Sequence, residues 1–165
     1  MKKTMTKVKK ELMWDRVISS VHADYKDLLN DFHGKDINYV KPQNGLNVLM
    51  SYLSYAKKPE AAVVDEFVKK GINVNQVDSL SMTALLYAAI NKHVTVPLLK
   101  HLVDAGADTK ARNAFRQNAL HLVVVDPDIM GRATMSGNAR PDMTARKNIL
   151  DVVTYLHSAG VNLED

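Results

Sequence analysis

Gly71-Ile72-Asn73-Val74-Asn75 and Gly106-Ala107-Asp108-Thr109-Lys110 lie 35 residues apart and share one pattern, with Asn or Asp two residues after the glycine and a branched residue three after it. Gly34-Lys35-Asp36-Ile37-Asn38 and Gly160-Val161-Asn162-Leu163-Glu164 repeat it. A helix-ending glycine recurring at a period in the low thirties marks a repeat array, whose units bury their apolar faces against one another. The residues before each glycine agree. Val63, Val64, Phe67 and Val68, then Leu98, Leu99, Leu102 and Val103, recur at helical spacing and describe one buried face. Val152, Val153 and Leu156 continue the series before Gly160, with His157 in the fourth place. Asn47, Thr83 and Asn118 each stand where an N-cap is needed, just before Val48-Leu49-Met50, Ala84-Leu85-Leu86 and Ala119-Leu120-His121.

In these helix-opening segments the chain resembles the ankyrin repeat family, whose motif there is Thr-Pro-Leu-His-x-Ala. Leu49, Leu85 and Leu120 match its leucine, Thr83 its threonine, His121 its histidine and Ala88 its alanine, while Ala84 and Ala119 replace the proline. Tyr52 and Val123 depart from the alanine. The resemblance covers roughly residues 23 to 165 and implies an all-α fold, an ankyrin-type solenoid of stacked helix-turn-helix repeats with β-turn tips. It also implies that His121 hydrogen-bonds the turn backbone.

The expected organisation is a basic flexible tail over 1–10 and one domain over 11–165. That domain consists of a cap (11–41) and repeats 42–77, 78–112 and 113–165. The cap reads as two helices, Glu11 to about Val21 and Asp24 to Phe32, with Trp14 over the first full repeat. Pro59 and Pro97 stand where second helices begin. Gly106 to Gly160 spans 54 residues, about 20 more than the usual period. The excess is residues 126–144, rich in proline and glycine, which read as an insertion loop.

Composition narrows the function classes. The 165 residues are 46% hydrophobic and 24% charged, ordinary for a soluble domain. No apolar run approaches 18 residues and the start lacks the apolar stretch of a secretory signal, so the expectation is a cytoplasmic protein, or one delivered to a host cell without such a signal. The absence of cysteine excludes disulfides, zinc thiolates and thiol catalysis. Lys2, Lys3, Lys7, Lys9 and Lys10 supply five positive charges, and removing them takes the formal charge from +4 to −1. The basicity therefore belongs to a tail, which argues against a specific nucleic-acid face.

No enzyme motif is present. The six histidines show no metal-site spacing, Asp126 and Asp128 fail the Asp-x-Asp-x-Asp-Gly cation loop, and Gly131 and Gly137 lack the Lys-Ser or Lys-Thr of a P-loop. The expectation is no enzyme, no cofactor and no metal.

The remaining signal is surface composition. In the ankyrin register Lys41, Leu46, Val77, Leu80, Met82, Arg112, Phe115 and Arg116 fall on turn tips, and Tyr55, Ile90, Asn91 and Val125 on first helices. The resemblance implies that these positions line one concave face, and with Arg132 and Arg140 of the insertion they form the expected contact set for another protein, to which the chain would be adaptor, inhibitor or effector. Two other readings stay open. One is a ligand-binding or catalytic site built on the insertion from Arg132, Arg140, His121 and Asp126. The other is a homodimer through the C-terminal end, expected to lack a capping repeat.

Overall fold

The computed structural model describes residues 37–56, 58–124 and 143–164. The basic tail, both cap helices with Trp14, Gly34, and Val125, Arg132 and Arg140 lie outside these residues. Six helices make up the described regular structure: α1 Val48–Tyr55, α2 Ala61–Lys69, α3 Ala84–Ile90, α4 Val96–Asp104, α5 Ala119–Val124 and α6 Met143–Ser158. No strand occurs among the described residues.

Each first helix starts on a side-chain cap. Asn47 accepts the Met50 amide at 2.9 Å, Thr83 that of Leu86 at 3.4 Å and Asn118 that of His121 at 3.2 Å. A cap of this kind contributes about 1 kcal/mol. Thr95 caps α4 with Pro97 in its first turn, whereas Pro59 sits before the N-cap Glu60 and outside α2. Met143 and Thr144, expected in the insertion, belong to α6, which at 16 residues is longer than the 9 of α2 and α4.

The helices pack in two rows. The first contains α1, α3 and α5 in succession, and the second α2, α4 and α6, with α3 also against α4 and α5 against α6. Leu49, Leu53, Leu85, Leu86, Leu98, Leu99, Val152 and Leu156, at 1% exposure or less, form one continuous core through both rows. Truncating any of these leucines costs about 2–5 kcal/mol. Tyr52 ties α1 to α2, its ring 5.8 Å from Phe67 and its phenol oxygen accepting the Glu60 amide at 2.9 Å.

The second-row helices end alike. Gly71 and Gly106 have φ of 81° and 89°. Gly71 donates to Val68 O and Ile72 to Phe67 O, and Gly106 and Ala107 repeat the pair on Val103 and Leu102. This double closure turns the chain out of the helix and tucks the residue after the glycine back onto the last turn. Asn73 and Asp108 then accept the amides of Asn75 and Lys110, two residues on, which fixes the loop.

In two of the loops the fifth residue joins the loop to the next. Asn38 donates from Nδ2 to Gly71 O at 2.8 Å and accepts the Asn73 amide at 2.6 Å. Asn75 does the same to Gly106 O and the Asp108 amide, both at 2.8 Å. The cap residues add a second tie, Asn47 Nδ2 to Asn73 O and Asn118 Nδ2 to Asn162 O. At the last joint the fifth residue is Lys110, whose ammonium offers donors and no acceptor, so a two-way clamp cannot form there.

Two outcomes follow in urea melts. Gly71→Ala and Gly106→Ala each cost about 1 kcal/mol, although a Cβ at either site meets nothing within 4 Å, because the cost is purely conformational. Parental stability in both would show that these loops do not need the left-handed geometry. Lys110→Asn, which supplies the missing clamp to the Gly160 loop, stabilises by about 1 kcal/mol.

Candidate protein-interaction surface

The tips precede the first helices, and the second and third are each locked by a polar side chain at their base. In the second, Asp78 Oδ1 accepts the amides of Leu80 and Met82 at 2.8 Å each, and Oδ2 accepts the Tyr87 hydroxyl at 2.6 Å. Burial first, then this bond to Asp78, raises the Tyr87 pKa above the usual tyrosine value, so the phenol keeps its proton and the tip stays tied to α3. In the third tip Asn113 replaces Asp78, accepting the amides of Phe115 and Gln117 at 3.0 and 2.9 Å. The first tip closes through Lys41 N to Leu46 O and Gly45 N to Lys41 O.

Backbone hydrogen bonds join neighbouring tips, Ser79 N to Asn44 O at 2.9 Å and Ala114 N to Leu80 O at 2.8 Å. The apex of one tip is thus fixed to the next. Arg112 Nη1 donates to Arg116 O at 2.5 Å, so Leu80, Arg112, Phe115 and Arg116 form one connected group.

Of the residues expected to present themselves, Phe115 is 70% exposed, Leu80 and Val77 49% each, and Arg116 is also exposed. Lys41 and Arg112 are half-buried. Tyr55 and Ile90 are exposed, but they end α1 and α3. With about 1.5 Å of rise per residue, this puts them roughly 10 Å from the N-caps, at the far end of the first row.

Three expectations of exposure are overturned. Leu46 and Met82, at 8% and 7% exposure, occupy the position immediately before the N-cap, where the chain turns under the tip and its side chain joins the core. Asn91 is buried too, its Nδ2 donating to Leu53 O at 2.7 Å and Ala56 O at 3.1 Å and its Oδ1 accepting the His93 amide. It ties α3 to the end of α1 and is occupied by structure. Sequence reasoning also passed over exposed Val124, Leu150 and Leu163. Leu163 matches buried Ile37 and Val74 in its loop position, so the pattern alone pointed inward.

Two of the described histidines make structural contacts. His121 Nδ1 lies 2.7 Å from Asn118 Oδ1, and since Asn118 Nδ2 donates to Asn162, the imidazole carries its proton on Nδ1 and donates to the cap side chain rather than to the turn backbone. His101 pairs with Asp65 at 2.5 Å, linking α4 to α2. Among the described residues no three His, Cys, Asp or Glu side chains cluster as a metal site, and no helix is long and apolar enough to cross a membrane. An open hollow of about 370 Å³ lies on the last unit between Leu120, His157, Asn162, Leu163 and Glu164.

No family model and no curated protein matches this chain.

The split between buried and exposed tip residues has a direct measure. Met82→Asp destabilises by about 3 kcal/mol or more, since it places a carboxylate in the core, whereas Leu80→Asp and Phe115→Asp stay within about 0.5 kcal/mol of the parent. Equal losses for all three in urea melts would mean that the tips are not a separate, solvated layer.

Proposed function

We propose that this chain is an ankyrin-type repeat module, a solenoid of stacked helix-turn-helix units, that binds another protein through its row of turn tips. It acts by occlusion or scaffolding and performs no chemistry itself. The observation that carries this reading is the pairing of exposed Leu80 and Phe115 on apices fixed to one another by a backbone hydrogen bond. Apolar side chains on a mobile loop lose much of their binding energy to ordering, and a pre-set surface avoids most of that loss. An aromatic beside arginine is also the composition of binding hot spots.

The ankyrin register finds support in the two rows of helices, the repeated caps and the tips that precede each first helix. The partner-binding roles of Val77, Leu80, Phe115, Arg112 and Arg116 belong to this proposal, with Lys41 at the margin of the row. Adaptor, inhibitor and effector are all roles such a surface can fill.

The test is capture of partners from the native cell followed by titration of a purified partner against tip variants. Leu80→Asp with Phe115→Asp weakens binding by at least about 2 kcal/mol, roughly 30-fold in Kd, while leaving the melting temperature near the parent. Binding that survives this pair and is lost with Tyr55→Asp and Ile90→Asp moves the contact to the opposite end of the first helices and refutes the tip assignment.

A further inference from the structure

The second and third tips align at an offset of 35 residues, which pairs Asn75 with Lys110, Val77 with Arg112, Leu80 with Phe115 and Ser81 with Arg116. Three neutral positions of one tip are therefore cationic in the next, while the apex stays apolar. Residues 109–118 contain Lys110, Arg112 and Arg116 and no acid. Asp108 Oδ1 accepts the Lys110 amide, and both oxygens of Asp78 are held by Leu80, Met82 and Tyr87. Among the described residues no carboxylate pairs with Lys110, Arg112 or Arg116.

Arg116 is also set in an unfavourable backbone. Its φ is 61°, in the left-handed region that all three tips use at this position, Gly45 at 75° in the first and Ser81 at 57° in the second. Glycine would adopt this geometry without strain, and strained residues retained on a surface point toward function. Arg112 braces it from beneath, with Nη1 on Arg116 O and Nη2 buried without a hydrogen-bond partner. The strained backbone leaves Arg116 exposed beside Phe115.

We propose that the third tip receives an acidic segment of the partner protein, with Asp or Glu carboxylates on Arg116 and Lys110 and an intervening apolar side chain on Phe115 and Leu80. This rests on the tip-row reading above. Arg112 is a positioning residue, acting through the Arg116 backbone. A protein segment fits better than a nucleic acid because three of the cations fall in the third unit, Lys41 lies two tips away and half-buried, and the second tip between them presents apolar Leu80 and Val77 instead of continuing a basic stripe. Charge at such a rim steers association and selects partners more than it adds affinity.

The full chain, immobilised, is used to select from a random peptide library, and enriched peptides are titrated by fluorescence anisotropy at low and high salt. Enriched sequences carry Asp or Glu on both sides of a large apolar residue, and their affinity falls as salt rises. Arg116→Gly weakens them by about two- to fivefold, and Arg116→Glu by more. Arg116→Gly simultaneously raises the melting temperature by about 2 °C, since it relieves the left-handed strain; a variant that melts later and binds more weakly cannot owe its defect to misfolding.

Enriched peptides without acidic residues that Leu80→Asp with Phe115→Asp abolishes would overturn the charge proposal and leave the tip row standing. Peptides indifferent to every tip variant would overturn both. Failure to enrich any peptide, or binding of single-stranded poly-uridine RNA that Arg116→Gly weakens in place of peptide binding, would overturn the acidic-segment assignment.

Discussion

A helix that stops inside a packed protein must find partners for its last carbonyls and still send the chain in a new direction. Here both demands meet at a glycine held in the left-handed region, at Gly71, Gly106 and Gly160 with φ between 81° and 89°. Its amide and the next one close back onto the final turn, and Ile72, Ala107 or Val161 is buried as a result. An L side chain at the glycine would oppose that geometry even in empty space. With the exit angle set, the loop, the tip and the following first helix fall into register.

The tips show how a solvated layer can be rigid without a core of its own. Their backbone groups are satisfied locally by Asp78 or Asn113, and then by each other across the row. The apex side chain has no structural task left. That division frees Leu80 and Phe115 for contact, while two residues after Leu80 Met82 is committed to the core.

Much of the framework was legible in the sequence because each requirement falls on few residue types. Left-handed φ selects glycine, and an orphan amide at a helix start selects Asn, Asp, Ser or Thr, so Gly71, Gly106, Asn47, Thr83 and Asn118 stood out. The apolar apices were legible as well, since Leu80 and Phe115 are odd in a turn. The burial of Leu46 and Met82 was not, because one residue of offset reverses the direction of a side chain and sequence spacing fixes a tip only to within such an offset. Asn38 and Asn75 escaped notice for another reason: a polar residue in an exposed loop looks alike whether it clasps the next loop or faces water, and Lys110 occupies the same slot. Asn91 was misassigned by the same ambiguity.

The clasp formed by Asn38 and Asn75 touches only main-chain atoms of the neighbouring loop, the glycine carbonyl and the amide two residues on. It is therefore indifferent to which side chains that loop displays. A unit that carries a glycine loop and an asparagine in its fifth place brings half of each joint with it, one to be grasped and one to grasp. Duplication of such a unit would create two mating junctions without any compensating substitution. The array can thus be lengthened or shuffled at the clasped joints while its tips diversify independently, and Lys110 marks the junction where that interchangeability is lost.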